Sequence, residues 1–191
     1  MMSEAVLTTP RSTGIQRLML HGAAGGLAGG IGMAMWQMID SAAAGSGFWT
    51  PVNVCMASFV WRGQASMIER DMMMHPGMSM NMPVAASHVA AGLLLHMAFS
   101  MVAGAALAVV LLGLRRAGLG VLAKAPGYVG AAVAGGGLLY VVMTYSVLPW
   151  ANPLMYHLTP RVPFFVGHLI FGLVFGLVTI PQARRLAAQA S

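Results

Sequence analysis

Residues 71–82 read DMMMHPGMSMNM, and they are the densest group of potential ligand atoms in the chain. His75-Pro76-Gly77-Met78 has turn chemistry, because Pro fixes the first corner and Gly accepts positive φ at the second. Such a turn would fold Met72, Met73 and Met74 back against Met78, Met80 and Met82. In an extended second arm, alternate residues project together, so those last three thioethers would share one face. Thioether sulfur selects soft ions, above all Cu(I), and imidazole accepts either copper oxidation state. Packing is the common use of Met, but Asp71, His75, Ser79 and Asn81 fill no core. Two other uses compete with a metal: an adaptable docking surface for another subunit, and a reversible scavenger of oxidants.

Three further histidines stand close to or inside apolar stretches. His96 and His168 lie within them, and His88 lies near the start of one. Ionisable groups at membrane depth are costly and usually face the interior of a bundle. Facing imidazoles there could relay a metal inward from the methionine segment, supply both axial ligands of a haem, or form interhelical hydrogen bonds. His157, near the outer end of the last apolar stretch, could extend either path as His88 could, or sit in the interface, and His21 can snorkel. Asp40 falls at the end of an apolar stretch, so no carboxylate lies deep enough for a proton relay. No Ser/His/Asp or Cys/His set is legible, which leaves hydrolase chemistry unsupported and a non-enzymatic role favoured. The single Cys55 excludes an internal disulfide framework.

The elements that position these residues follow from composition. Of 191 residues only 7% are charged and 58% are hydrophobic, and the mean hydropathy is +0.77. A soluble domain carries about 25% charged residues. Four stretches reach the roughly 20 apolar residues that a bilayer crossing needs: 18–39, 84–112, 126–148 and 162–181. The expected fold is an all-α integral membrane protein of four transmembrane helices. A segment of 1–17 precedes them and a tail of 182–191 follows. The connections are 40–83, carrying the methionines, a basic 113–125 and a short 149–161.

The net charge of +6 reads as topology rather than as affinity for nucleic acid. Arg11, Arg17, Arg115, Arg116, Lys124, Arg184 and Arg185 fall on one side if both termini are cytoplasmic, as the positive-inside rule asks. The methionine segment then faces outward. No signal-peptide cleavage pattern is present, so the first span is expected to be retained.

An internal repeat is visible. GAAGGLAGGIGMAMWQM from Gly22 aligns with GYVGAAVAGGGLLYVVM from Gly127, and HMAFSMVAG from His96 with HLIFGLVFG from His168. Two helical hairpins of the same orientation are expected, related by an axis along the membrane normal. Gly22, Gly26 and Gly30 form a small-xxx-small ridge, with Gly127, Ala131 and Gly135 as its counterpart. Such ridges let helices approach closely in lipid, and they carry no phosphate-loop chemistry because no strand precedes them. The two alignments differ in offset, 105 against 72 positions, so the first outer connection is 33 residues longer than the second. Within that excess, 48–61 is too short to span and is bracketed by aromatics, as suits an interfacial or re-entrant segment.

Two resemblances follow. The M-x-M-x-M pattern of 78–82 resembles the extracellular copper-collecting segments of the Ctr-type transporters, which have three spans rather than four. The closing stretch VPFFVGHLIFGLVFGLVTIPQARR resembles that of YagU-like small bacterial inner-membrane proteins, which implies the fold and a bacterial inner membrane but no chemistry. Taken together, the expected function is copper binding, transfer or transport, with homo-oligomerisation or a partner complex around one thin bundle. A structural accessory subunit that docks through the methionine segment is the alternative, and a bis-His haem redox protein the third.

Overall fold

The structure, a computed structural model, describes residues 14–60 and 86–188, with 57–60, 182–184 and 186–188 as backbone only. The methionine segment lies outside the described residues, and with it Met72, Met73, Met74, His75, Met78, Met80 and Met82. Four helices are long and apolar enough to cross a membrane. They are α1 (Gly14–Ala43), α3 (Ala86–Arg116), the helix that begins as α4 (Ala125–Val142), and α7 (Arg161–Ala188). Each runs past the apolar stretch that announces it, since the flanking polar residues satisfy their backbone within the same helix. A short α2 (Thr50–Val60) precedes the methionine segment, and a 3₁₀ turn at Gly120–Ala123 leads into α4.

The distribution of side chains is that of a protein dissolved in lipid. Leu20, Ile31, Leu94, Val102, Leu138 and Leu177 are exposed, whereas Asn53, Ser100, Thr144, Asn152, His168 and Thr179 are buried. An exposed apolar surface of this extent is costly in water and natural in a bilayer, where polar groups must find partners inside.

Helix α1 is the centre of the bundle, packing along both α3 and α7, while α4 packs along α7 and meets α3 only briefly. Two glycine stripes on α1 explain this. Gly22, Gly26 and Gly30 face α3: a Cβ on Gly22 would stand 2.7 Å from the Ala108 Cβ, and one on Gly26 would stand 2.9 Å from the Gly104 Cα and collide with the Ser100 carbonyl. Gly25 and Gly29 face α7, where Phe171 and Phe175 lie over them in a near-parallel pair with centroids 6.3 Å apart. The second stripe is the finding that the sequence reading lacked.

On α4 the small residues that meet α7 are Ala132 and Gly136, against Gly172 and His168. This is one position along from the expected Gly127–Ala131–Gly135 ridge. Gly135 packs instead on Leu107 of α3, and Gly127 accommodates Val121 of the preceding turn. Near the far end of α7, the Thr179 hydroxyl donates to the Phe175 carbonyl at 2.8 Å and so accepts from the Tyr128 hydroxyl at 3.0 Å, tying α4 to α7.

The other end of the bundle is capped by short elements. Pro149 has no N–H to offer the carbonyl of Tyr145, and upstream of it the helix widens into a π turn at Met143–Val147, with the Leu148 N–H bonded to the Met143 carbonyl. Then come α5 (Leu148–Ala151) and α6 (Pro153–Leu158). Asn152 caps α6, accepting from the Met155 N–H at 3.0 Å, with Pro153 at the first helical position. On the α1 side, Gly45 and Gly47 have positive φ and turn the chain back into α2. Within the segment expected to be interfacial or re-entrant, α2 packs against α3: Val52, Asn53 and Val54 are buried, and the Val52 carbonyl rests where a Cβ on Gly92 would be.

Candidate functional site

A cavity of about 240 Å³ opens at this capped end. Its walls include Met33, Gln37 and Asp40 of α1, Cys55 of α2, His96 of α3 and Met155 of α6. Residues from four elements thus converge, and two of those elements, α2 and α3, are the ones that the 61–85 segment connects. The volume is several times the roughly 30 Å³ that a water occupies in the liquid.

The walls are held by hydrogen bonds to main chain. Trp36 Nε1 and Gln37 Nε2 both donate to the Pro163 carbonyl, at 2.9 and 2.8 Å, fixing α1 to the start of α7. The absence of a side chain on Gly167 opens the way: a Cβ there would stand 2.8 Å from Gln37 Nε2. Asn152 Nδ2 donates to the carbonyls of Val54 and Cys55 at 3.1 and 3.2 Å, holding α2 as the third wall. Burial pushes the Cys55 thiol up to about 11, so it stays protonated at neutral pH.

Of the histidines singled out in the sequence, His96 lies at the cavity, and its Nε2 is 3.0 Å from the Gly30 carbonyl. A carbonyl only accepts, so Nε2 carries the proton and the neutral ring keeps its lone pair on Nδ1. His168 does the reverse. Its Nδ1 donates to the Phe164 carbonyl at 2.8 Å, and its ring stands edge-on to Phe164 and Tyr140 with centroids 4.5 and 5.7 Å away. At 2% exposure it is enclosed by its own neighbours and does not line the cavity. His88 is half-buried in the first turn of α3, and His157 stands beside the Tyr156 ring. No trio of His, Cys, Asp or Glu gathers among the described residues.

Comparisons with known proteins find no match. No family model fits the sequence, and no curated protein or solved structure is similar to it.

Three of the cavity residues, Met33, Cys55 and Met155, were not singled out in the sequence as ligands. Met33 and Met155 have the ordinary signal of apolar filler, and Cys55 that of a small buried hydrophobe. Only their convergence on one cavity distinguishes them.

Proposed function

We propose that this protein handles copper in a bacterial inner membrane, capturing Cu(I) on Met72, Met73, Met74, His75, Met78, Met80 and Met82 and passing it toward His96. In this reading both termini are cytoplasmic and the methionine segment faces outward, which is supported by the basic Arg115 and Arg116 at the end of α3 opposite the cavity. The observation that carries the proposal is the cavity itself: the two helices flanking the methionine segment both line it, and it reaches an imidazole whose Nδ1 keeps a lone pair. Such a bond, from the other ring nitrogen to a carbonyl, is the usual orientation device of a metal-ligating histidine.

The two halves are further proposed to be related hairpins. Support comes from their contacts: Gly26 meets Ser100 and Gly104, and Ala132 meets Gly172 and Gly176. These pairs correspond at an offset of 106 for α1 and α4 and 72 for α3 and α7, one residue from the alignment read in the sequence. The bis-His haem alternative is disfavoured, since His96 Nε2 is bonded to main chain and the His168 ring is flanked by aromatic side chains.

The test is metal content after growth with copper, beside a Met78→Leu/Met80→Leu/Met82→Leu variant that keeps apolar volume and removes sulfur. Copper at one or more per chain, reduced in the variant, is expected. Equal copper in both would remove Met78, Met80 and Met82 as ligands. Copper in neither, with tight co-purification of another membrane protein, would assign the segment to docking.

A further inference from the structure

The cavity residues make a second soft-ligand group, separate in sequence from the methionine segment. Met33, Cys55, His96 and Met155 come from four different elements, so no local composition bias brings them together. Met33 and Met155 pack in a cluster with Leu148, Phe164 and Phe171. Both also border the cavity, where their thioethers join a thiol and an imidazole, and the carboxylate-bearing Asp40 is among the lining residues.

We propose that this cavity binds one monovalent soft cation, Cu(I), through Met33, Cys55, His96 and Met155. The inference rests on the copper reading of the chain and adds to it an internal station with its own ligands. Two thioethers, one thiolate and one imidazole satisfy a four-coordinate d¹⁰ ion without any carboxylate. On binding, the Cys55 S–H bond breaks, an S–Cu bond forms, and the proton leaves to water through the open side of the cavity. Copper enters and stays as Cu(I), so no electron is exchanged. One positive charge replaces another, and the net charge of a site walled largely by apolar side chains is unchanged, which avoids the cost of burying an uncompensated ion. Asp40 and His96 are the other titratable groups on the wall.

Ag(I), a redox-inert ion of the same softness, is the probe. It is titrated into the full-length detergent-purified protein while Cys55, the only cysteine, is challenged with a small alkylating reagent. The background carries Leu in place of Met72, Met73, Met74, His75, Met78, Met80 and Met82, so that the methionine segment does not contribute. One equivalent of Ag(I) is expected to block alkylation there. Adding Met33→Leu and Met155→Leu, or His96→Leu, is expected to weaken that protection tenfold or more while leaving the ion-free alkylation rate within about twofold, which controls for unfolding. Protection that is unchanged by those substitutions would reduce the site to a thiol alone and overturn the proposal. Absence of protection would overturn it too. In either case the copper content of the wild type against the triple Met variant still decides the capture reading separately.

Discussion

Asn152 and Cys55 lie 97 positions apart and are joined by a hydrogen bond, the Asn152 amide donating to the Cys55 carbonyl at 3.2 Å. The same side chain caps α6 and holds the neighbouring Val54 carbonyl, so one residue after the third span fixes the helix that precedes the methionine segment. Asn152→Ala is expected to cost about 0.5–2 kcal/mol, the range of a lost N-cap, and to free α2. The readout is alkylation of Cys55, which should speed up severalfold in the variant. An unchanged rate would show that α2 is held by its apolar contacts to α3 alone.

Burial of the Cys55 thiol predicts an unusual pH profile for the same reaction. An ordinary thiol with a value near 9 gains reactivity with pH and then levels off there; one held up at about 11 continues to gain roughly tenfold per unit between pH 8.5 and 10. The sign follows from desolvation, which disfavours the thiolate. Levelling near pH 9 would mean that the thiol is in contact with bulk water.

The glycines divide into two classes with opposite expectations. Gly26→Ala places a methyl group against Ser100 and Gly104 and is expected to destabilise the bundle by about 3 kcal/mol, the upper end of overpacking costs. Gly130→Ala meets nothing within 4 Å and is expected to be within about 0.5 kcal/mol of the wild type. Thermal unfolding of both variants in one detergent separates them.

His96 and His168, which the proposed repeat would align, face different surroundings. His168→Leu removes a bond within α7 and the edge contacts to Tyr140 and Phe164, and should lower stability by about 1–3 kcal/mol. Its effect on Cu(I) affinity, measured by competition with a chelator, should stay within twofold. His96→Leu should weaken that affinity tenfold or more. The reverse order would place the ion beside His168.

The four spanning helices were legible because nothing but lipid tolerates apolar runs of that length and charge depletion. The α1–α3 ridge was legible because glycine every fourth residue has few other uses in a span. The α4 ridge was read one residue out of place, since Ala131 and Ala132 are equally small and Gly135 and Gly136 adjoin; only the contacts to Gly172 choose between them. The stripe of Gly25 and Gly29 was present in the letters but hidden beside its neighbour. The cavity was illegible for a different reason: Met33, Cys55, His96 and Met155 have no common spacing, and their meeting depends on a turn at Gly45 and Gly47, a π turn above Pro149 and an asparagine cap.

The brief meeting of α3 with α4 has a consequence for the chain between them. Each hairpin is closed by its own small residues, α1 on α3 and α4 on α7, and the halves adhere through Gly25, Gly29, Phe171 and Phe175 rather than through the 117–124 link. That link, which turns at Gly118 with φ of 97°, supplies continuity and little cohesion. In folding terms each half holds its own pair of helices, and severing the chain beside Gly118 should yield two fragments that find each other again in the same bilayer.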